Sequence, residues 1–594
     1  MGISLNQMVN AIKKSKEYVD MNTLNLSSAN FVSENGFGGL RIQDGKYQYY
    51  NKNTLSWVDI QYTDDNAYIG SLIPNPVTSL TVELDESTHN VKIKLVEPED
   101  TVIDGSTTYS ILGIKVVMKR GSEPETVDDG DLLLDLQRKD FGKYASEWHI
   151  NTDILVMNTD TYYCKAFSYN EFGIYNNDGT VSSFSYTAPE VYGFTLDQSE
   201  SDSDSMVTYF GNNELYTPMS IIWSGNGFKS FDYGDWKDVW FIKDCRPCMM
   251  KYDGTVDYYL NPDDYTKKED GSDSDIANTS YEGNAMIEFP KIYIKYEVVD
   301  EEKVNISVSN TNVDDNYHCY PFIDSNGNEI DHTYMSIYDG NIIDTKLRSI
   351  SGNTISYGSF EDFTTYGANN NTESSDIWSI GTFADYQMIM TLLMLVTRSG
   401  SISSKLGIPV QGTNNSNVTK FKEGQLNDKG LFYNTYKTGG CTKFFGMENF
   451  FGITSKHILG LVKDSENIQK VKMYKTDGGT DDYNLSGEGY HEIGVVPTST
   501  KTTDSGELVD RMYISEYGLL PKTLGGSTST RFRGRVYSAN GAMPGAISHW
   551  GYYSPTFWGI IYVASTNKGL NSSGYLSFPS GARLSCKPLA KTTK

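Results

Sequence analysis

The stretch Arg531-Phe532-Arg533-Gly534-Arg535, continued by His549-Trp550-Gly551-Tyr552-Tyr553, Thr556-Phe557-Trp558 and Tyr562 and closed by Gly581-Ala582-Arg583-Leu584-Ser585-Cys586, decides how this chain reads. Large rings alternate here with Ser, Gly and Asn, then stop at a compact Gly-Ala-Arg-x-x-Cys ending. Two readings compete. Clustered aromatics commonly pack a core, but a core strand carries Val, Ile and Leu at a period of two. This stretch is mostly ring, small residue and turn former. Tyr and Trp supply wide, rigid, amphipathic area at little entropy cost, and Ser and Asn supply adaptable hydrogen bonds, which suits a contact surface. The candidate ligand-contacting residues are therefore Tyr537, His549, Trp550, Tyr552, Tyr553, Thr556, Trp558, Tyr562 and Tyr575. For His549 a hydrogen-bonded core role is the more ordinary alternative.

The ending resembles that of C-type-lectin-like domains in phage tail fibres, including the variable receptor-binding proteins made by diversity-generating retroelements. Upstream, Phe445-Gly446-Met447-Glu448-Asn449-Phe450-Phe451-Gly452 is similar to the Gly-Ile-Glu-Asn-x-Trp-Gly signature of the same fold, which formylglycine-generating enzymes share. A third segment runs from Cys248-Met249-Met250-Lys251-Tyr252-Asp253-Gly254 to Gly271. With Ile287-Glu288-Phe289-Pro290-Lys291-Ile292-Tyr293, it resembles a run common in tail-fibre proteins of phages that infect Gram-positive bacteria. Together these cover roughly residues 190–594, and their order along one chain is more specific than any one of them. The resemblance implies that Glu448, Asn449, Arg583 and Cys586 hold the fold.

The chain of 594 residues is too long for a single core, so several domains are expected. Its 43 tyrosines and 13% aromatic content separate it from disordered sequences, which are poor in rings. Abundant Gly and Asn with few long helical patterns point to mostly β structure. A net charge of −26 offers no basic stripe for nucleic acid and disfavours docking on anionic lipid. The opening Met1-Gly2-Ile3-Ser4-Leu5 leads to Lys13-Lys14 without an apolar leader core, so export by the general route is not expected. The longest apolar run, Met388 to Val396, falls far short of the roughly 18 residues a membrane-spanning helix needs.

The organisation read from the chain is mainly β and multi-domain. Residues 1–25 hold a short helix for attachment or trimerisation, with Leu5, Met8, Ile12 and Val19 at heptad spacing; packing on its own chain is the alternative. Residues 26–75 form a small β unit with a hairpin, Leu40–Gln43 and Lys46–Tyr49, closed by Asp44-Gly45, and Trp57 on the next strand. Residues 76–188 read as a sandwich with strands at Leu80–Leu84, Val91–Leu95 and Ile114–Met118. Thr161-Tyr162-Tyr163-Cys164-Lys165-Ala166 to Asn170 resembles the F strand of a fibronectin type III domain. That implies a tyrosine corner at Tyr162, Cys164 and Ala166 facing the core, and Leu155 as an apolar plug. Beyond the linker Thr187-Ala188-Pro189-Glu190, residues 191–360 are taken as the β-rich first part of a receptor-binding region. Residues 361–594 are taken as an α+β C-type-lectin-like domain with few helices. Ile292, Ile294, Tyr296 and Val298 are expected on the buried face of a strand, opposite Tyr293, Lys295 and Glu297. Asp324-Ser325-Asn326-Gly327-Asn328 is expected to turn the strand Tyr320–Ile323 into one after Glu329. Phe383–Thr397, capped by Thr382, reads as a helix apolar on most sides and hence internal.

No enzyme motif emerges. Lys229-Ser230 follows Phe228 and Trp223 stands where a P-loop needs its first Gly; there is neither a G-x-S-x-G elbow nor H-E-x-x-H. Cys245-Arg246-Pro247-Cys248 has no second pair at a zinc spacing, so buried thiols are expected, with no metal and no cofactor. The acidic loop Ser199–Ser205 reads as solvated rather than calcium-binding. The oxidase of the same fold needs two active-site thiols near its end, where this chain has only Cys586. The expectation is a non-enzymatic phage tail-fibre or tail-tip receptor-binding protein, or its counterpart in a phage-tail-like bacteriocin. It would sit on the virion as a homotrimer, join other tail or baseplate proteins, and grip a bacterial surface glycan or surface protein. A structural connector bound to another virion protein, and a fibre-borne glycan hydrolase, are the alternatives.

Overall fold

The computed structural model describes residues 73–526 and 580–590 apart from 86–89, 104–106, 142–148, 152–157, 171–172, 373–374, 410–420, 453–454, 465, 476–482, 485 and 498–506. It adds the backbone of the strands at 37–43, 46–51, 56–59, 535–537, 545–546 and 562–564. The expected helix within residues 1–25 and the plug residue Leu155 lie outside the described residues. The protein is mainly β and built of many sheets, in two compact units, Met1–Ala188 and Pro189–Lys594. Among the described residues no helix is long and apolar enough to cross a membrane.

The first unit opens with a meander, Phe37–Gln43, Lys46–Asn51 and Ser56–Asp59. Gln43 pairs with Lys46, leaving Asp44-Gly45 as the two-residue connection, and Trp57 pairs with Tyr50. A sandwich follows. One sheet has the order His149–Asn151, Asn90–Val96, Ser79–Asp85; the other, Val181–Tyr186, Asp160–Asn170, Ile111–Arg120, Asp131–Gln137. The alternation that forecasts these strands also builds the core. Val91, Ile93 and Leu95 are buried while Asn90, Lys92 and Lys94 are half-buried, and they meet Ile114, Val116, Met118, Cys164 and Ala166. Tyr162 makes the expected corner, its Oη donating to the Asn158 carbonyl at 3.0 Å while its ring stacks on Phe184. That bond fixes the entry into the longest strand of the unit.

The second unit is organised by two larger sheets. Four antiparallel strands run in the order Val207–Gly211, Val191–Asp197, Lys303–Ser309, Tyr293–Val298. Seven run in the order Asp264–Lys268, Val256–Asn261, Arg246–Lys251, Gly283–Pro290, His332–Ser336, Leu584–Cys586, Trp378–Ile380. The second sheet corrects the division at 360/361, because residues from both sides of that boundary share it: Leu584–Cys586 lies between His332–Ser336 and Trp378–Ile380.

Helix Phe383–Thr397 is where the sequence places it, and every residue of it is buried. Thr382 and Asp385 form a reciprocal capping box that satisfies two otherwise orphaned N–H groups. Three of its polar side chains find partners inside the protein. Gln387 donates to Leu519 O at 3.2 Å, Thr391 shares a 2.7 Å hydrogen bond with Tyr296 Oη, and Thr397 donates to Leu393 O at 2.6 Å. Each large apolar side chain here, such as Leu392 or Leu395, contributes about 1.5–3 kcal/mol by leaving water. A charged residue at Leu392 would forfeit that and bury an unpaired ion.

Two local expectations fail. Tyr293 is buried together with Ile292 and Ile294, while Val298 is 54% exposed at the far end of the strand. The reason is that the strand sits at the sheet edge and its end projects past the core. Tyr320–Phe322 is a 3-10 turn rather than a strand, because Pro321 lacks the N–H a ladder needs. The Asp324 turn itself forms: its carboxylate accepts the N–H groups of Asn326 and Asn328, and Ile323 bridges Glu329.

Candidate functional site

The segment carrying the candidate contact residues is anchored at its base. Hairpin Glu507–Ser515 and Gly518–Leu524 leads into it, and Arg535–Tyr537 pairs back onto Glu507 and Leu508. Arg535–Tyr537 also runs parallel to Tyr562–Ala564, with Arg535 opposite Tyr562 and Tyr537 opposite Ala564. Tyr537 and Tyr562 thus occupy ladder positions two residues apart. Gly545–Ala546 pairs with Val462 and Lys463. His549, Trp550, Tyr552, Tyr553, Thr556, Trp558 and Tyr575 lie outside the described residues, as do the side chains of Tyr537 and Tyr562.

Where the segment returns, the chain is locked. Ser580–Gly581 runs parallel to Ser455–Lys456, and Gly340 and Gly381 donate N–H to the carbonyls of Ala582 and Arg583 at 2.9 Å. Arg583 is fully buried, which an arginine tolerates only when its charge and its donors are met. Its Nη1 donates to Ser336 O at 2.9 Å and Ile337 O at 3.2 Å, and its Nη2 donates to Glu448 O and lies 3.0 Å from Asp339 Oδ1. The other oxygen of Asp339 accepts from Lys456 Nζ at 2.6 Å, and both side chains are fully buried. Burial pulls the Lys456 amine down, against the neighbouring Asp339.

Glu448 and Asn449 belong to the same assembly. Phe445 and Gly446 turn the hairpin between Thr442–Phe444 and Met447–Glu448 with positive φ at both, and Asn449 takes φ +52° just after it. Asn is among the few residues that adopt this conformation readily. The Glu448 carboxylate accepts the backbone N–H groups of Gly424, Gln425 and Leu426 at 2.7, 2.9 and 3.2 Å. Burial nevertheless raises it to about 7. Burial and the repulsion of Glu448 push Glu423 well above the carboxylate range, and Asn449 Nδ2 donates to it at 3.3 Å. Lys443, held by Leu426 O at 2.9 Å and lying over the Tyr265 ring, is lowered by burial to about 7. Cys586 is a buried thiol on the strand next to the edge of the seven-stranded sheet, between His332–Ser336 and Trp378–Ile380, raised well above its ordinary value by burial.

The three sequence motifs therefore converge. Arg246–Lys251 and Gly283–Pro290 carry the Cys248 and Ile287 runs, Arg583 bonds the Gly-Ala-Arg ending to the backbone of Glu448 in the Phe445–Gly452 run, and strand Leu584–Cys586 of that ending joins the sheet of the Cys248 run. Sequence reasoning missed Asp339 and Lys456, and nothing local marks them: each is an isolated charge in an ordinary segment. All six cysteines are unpaired thiols, Cys245 and Cys248 among the buried ones. Among the described residues no group of three His, Cys, Asp or Glu is placed to hold a metal ion. No family model matches the chain, and no curated protein matches it either.

Proposed function

We propose that the chain is a phage tail-fibre or tail-tip receptor-binding protein, or the equivalent in a phage-tail-like bacteriocin, that adheres to a bacterial surface glycan or surface protein. The observation that supports this is the clamp at the root of the aromatic segment. A long stretch rich in rings leaves one hairpin, touches the body by short strands, and re-enters through a segment fixed by the buried Arg583–Asp339–Lys456 assembly. A rigid base under a segment rich in aromatic residues is how recognition loops are carried on stable scaffolds. In this reading residues 1–25 attach or trimerise, the sandwich spaces, and the C-terminal segment of a non-catalytic homotrimer on the virion grips the host. Several weak sites on one particle would act together.

The test is adhesion of labelled full-length protein to a panel of Gram-positive cells, with single alanine variants at Trp550, Tyr552, Tyr553 and Trp558. The reading expects at least one strain to bind and these variants to lose binding while melting like the parent. Binding that survives all four substitutions, or adhesion to no strain alongside tight capture by a tail protein, would favour the connector reading instead.

A further inference from the structure

We infer that the chain closes on itself covalently: Lys587 Nζ and Asp385 Cγ condense to an amide that ties the C-terminal strand to the buried helix. The inference uses this one pair of side chains and stands or falls independently of the adhesion reading.

Asp385 sits in the first turn of helix Phe383–Thr397, and Lys587 directly follows strand Leu584–Cys586. Nζ lies 3.1 Å from Oδ1. Both atoms are sealed from solvent, and neither makes an aligned hydrogen bond. Other ion pairs of this unit differ. Lys456 Nζ donates to Asp339 at 2.6 Å, and Lys475 Nζ donates to both oxygens of Asp376 at 2.8 and 2.7 Å. Those pairs are aligned for hydrogen bonding. At Lys587 two charges bear the cost of leaving water without the bond that offsets it. An amide removes both charges and both unmet atoms.

The reacting groups are held in place from both sides. Lys587 N–H donates to Ile377 O at 2.9 Å. Asp385 N–H donates to Thr382 Oγ1 at 3.2 Å, and Asp385 Oδ2 accepts the Thr382 N–H at 2.9 Å. Groups fixed at contact distance react without the entropy cost of an encounter. The Thr382 N–H also selects which oxygen stays. Oδ2 becomes the amide carbonyl and keeps its donor, which meets the charge that develops there as the bond forms. The helix cap therefore survives, and Oδ1 leaves.

The step balances. The ammonium passes one proton to Oδ1, giving an amine and a carboxylic acid. The amine lone pair forms the Nζ–Cγ bond, the nitrogen gives a second proton to the same oxygen, and the Cγ–Oδ1 bond breaks to release water. No oxidant or other reagent is consumed. A recess of about 20 Å³, lined by Thr382, Ser379 and Lys587 itself, has room for about one water. The link would close a loop of about 200 residues that contains the whole aromatic segment, so its two roots could not part under load.

The experiment is electrospray mass spectrometry of the denatured full-length protein, beside Lys587→Arg, which keeps the charge but offers no nucleophilic amine. The parent is expected about 18 Da below its sequence mass, one water, and Lys587→Arg at its full sequence mass. Trypsin should release from the parent a branched peptide joining Ser349–Arg398 to Leu584–Lys591. A parent at full sequence mass overturns the inference. So does a water loss that persists in Lys587→Arg or gives only linear peptides, since a succinimide elsewhere would do the same. The branched peptide is read on the parent alone and carries the test should Lys587→Arg fold poorly.

Discussion

Replacing Arg583 by Met removes a guanidinium that satisfies three backbone carbonyls and half-neutralises a fully buried carboxylate. Methionine keeps most of the volume, so the loss is one of polarity rather than packing. Breaking a buried ion pair from one side costs about 3–5 kcal/mol, because the other charge is stranded. Here Lys456 still faces Asp339, which places the expected loss near the lower end of that range. The carbonyls of Ser336, Ile337 and Glu448 lose a donor as well, at about 1–3 kcal/mol for a buried group left bare. A net loss of about 4 kcal/mol is reasonable for the sum, since water enters part of the gap. The second unit has about 400 residues. At an unfolding entropy of about 2.1 cal/mol/K per residue, 4 kcal/mol lowers its Tm by roughly 5 °C. Scanning calorimetry of the full chain reads this directly, with the transition of the first unit as an internal control. A shift under about 1 °C would refute the clamp, because no buried arginine that closes a segment can be removed at that cost. Additivity of Arg583→Met and Asp339→Asn would refute the direct pairing, since charges in contact show coupling.

Three further outcomes follow from the structure. His457, buried against Phe360 and Phe363 and bonded to Gly358 O, is lowered by burial from 6.5 to about 4, so the unfolded chain takes up a proton that the folded one refuses. Its contribution to stability is complete above pH 6.5 and is lost as pH falls towards 4, by up to about 3 kcal/mol at 1.36 kcal/mol per unit; the urea midpoint of the parent should therefore fall more steeply over that window than that of His457→Gln. Tyr162→Phe deletes the bond to Asn158 O and should cost the sandwich about 1 kcal/mol, seen as a lower first-unit transition with the second unit unmoved. Of the six thiols, only the half-buried Cys441 should react slowly with a thiol reagent in the native protein, with all six reacting after denaturation; a fast native thiol among Cys245, Cys248 and Cys586 would contradict their burial.

Much of the scaffold was legible in the amino acids because its signals are local. The alternation at Val91, Ile93 and Leu95, the two-residue Asp44-Gly45 connection, the tyrosine corner at Tyr162 and the Thr382 cap of Phe383–Thr397 each act within a few residues. Period and cap chemistry carry that information without help from the rest of the chain. Arg583, Glu448 and Asn449 were legible as residues that hold the fold, but only through resemblance. What they hold was not. The partners of Arg583 lie some 135 to 247 residues away, and Lys456 reaches Asp339 across 117. The sheet that sets Leu584–Cys586 between His332–Ser336 and Trp378–Ile380, and the stacking of Tyr474 on Tyr320, are likewise decided only by tertiary structure. The physical reason is that a buried charge is tolerable only where an opposite charge and aligned acceptors arrive together. Which distant segments arrive is set by the closing of the whole core, not by any stretch of chain read alone.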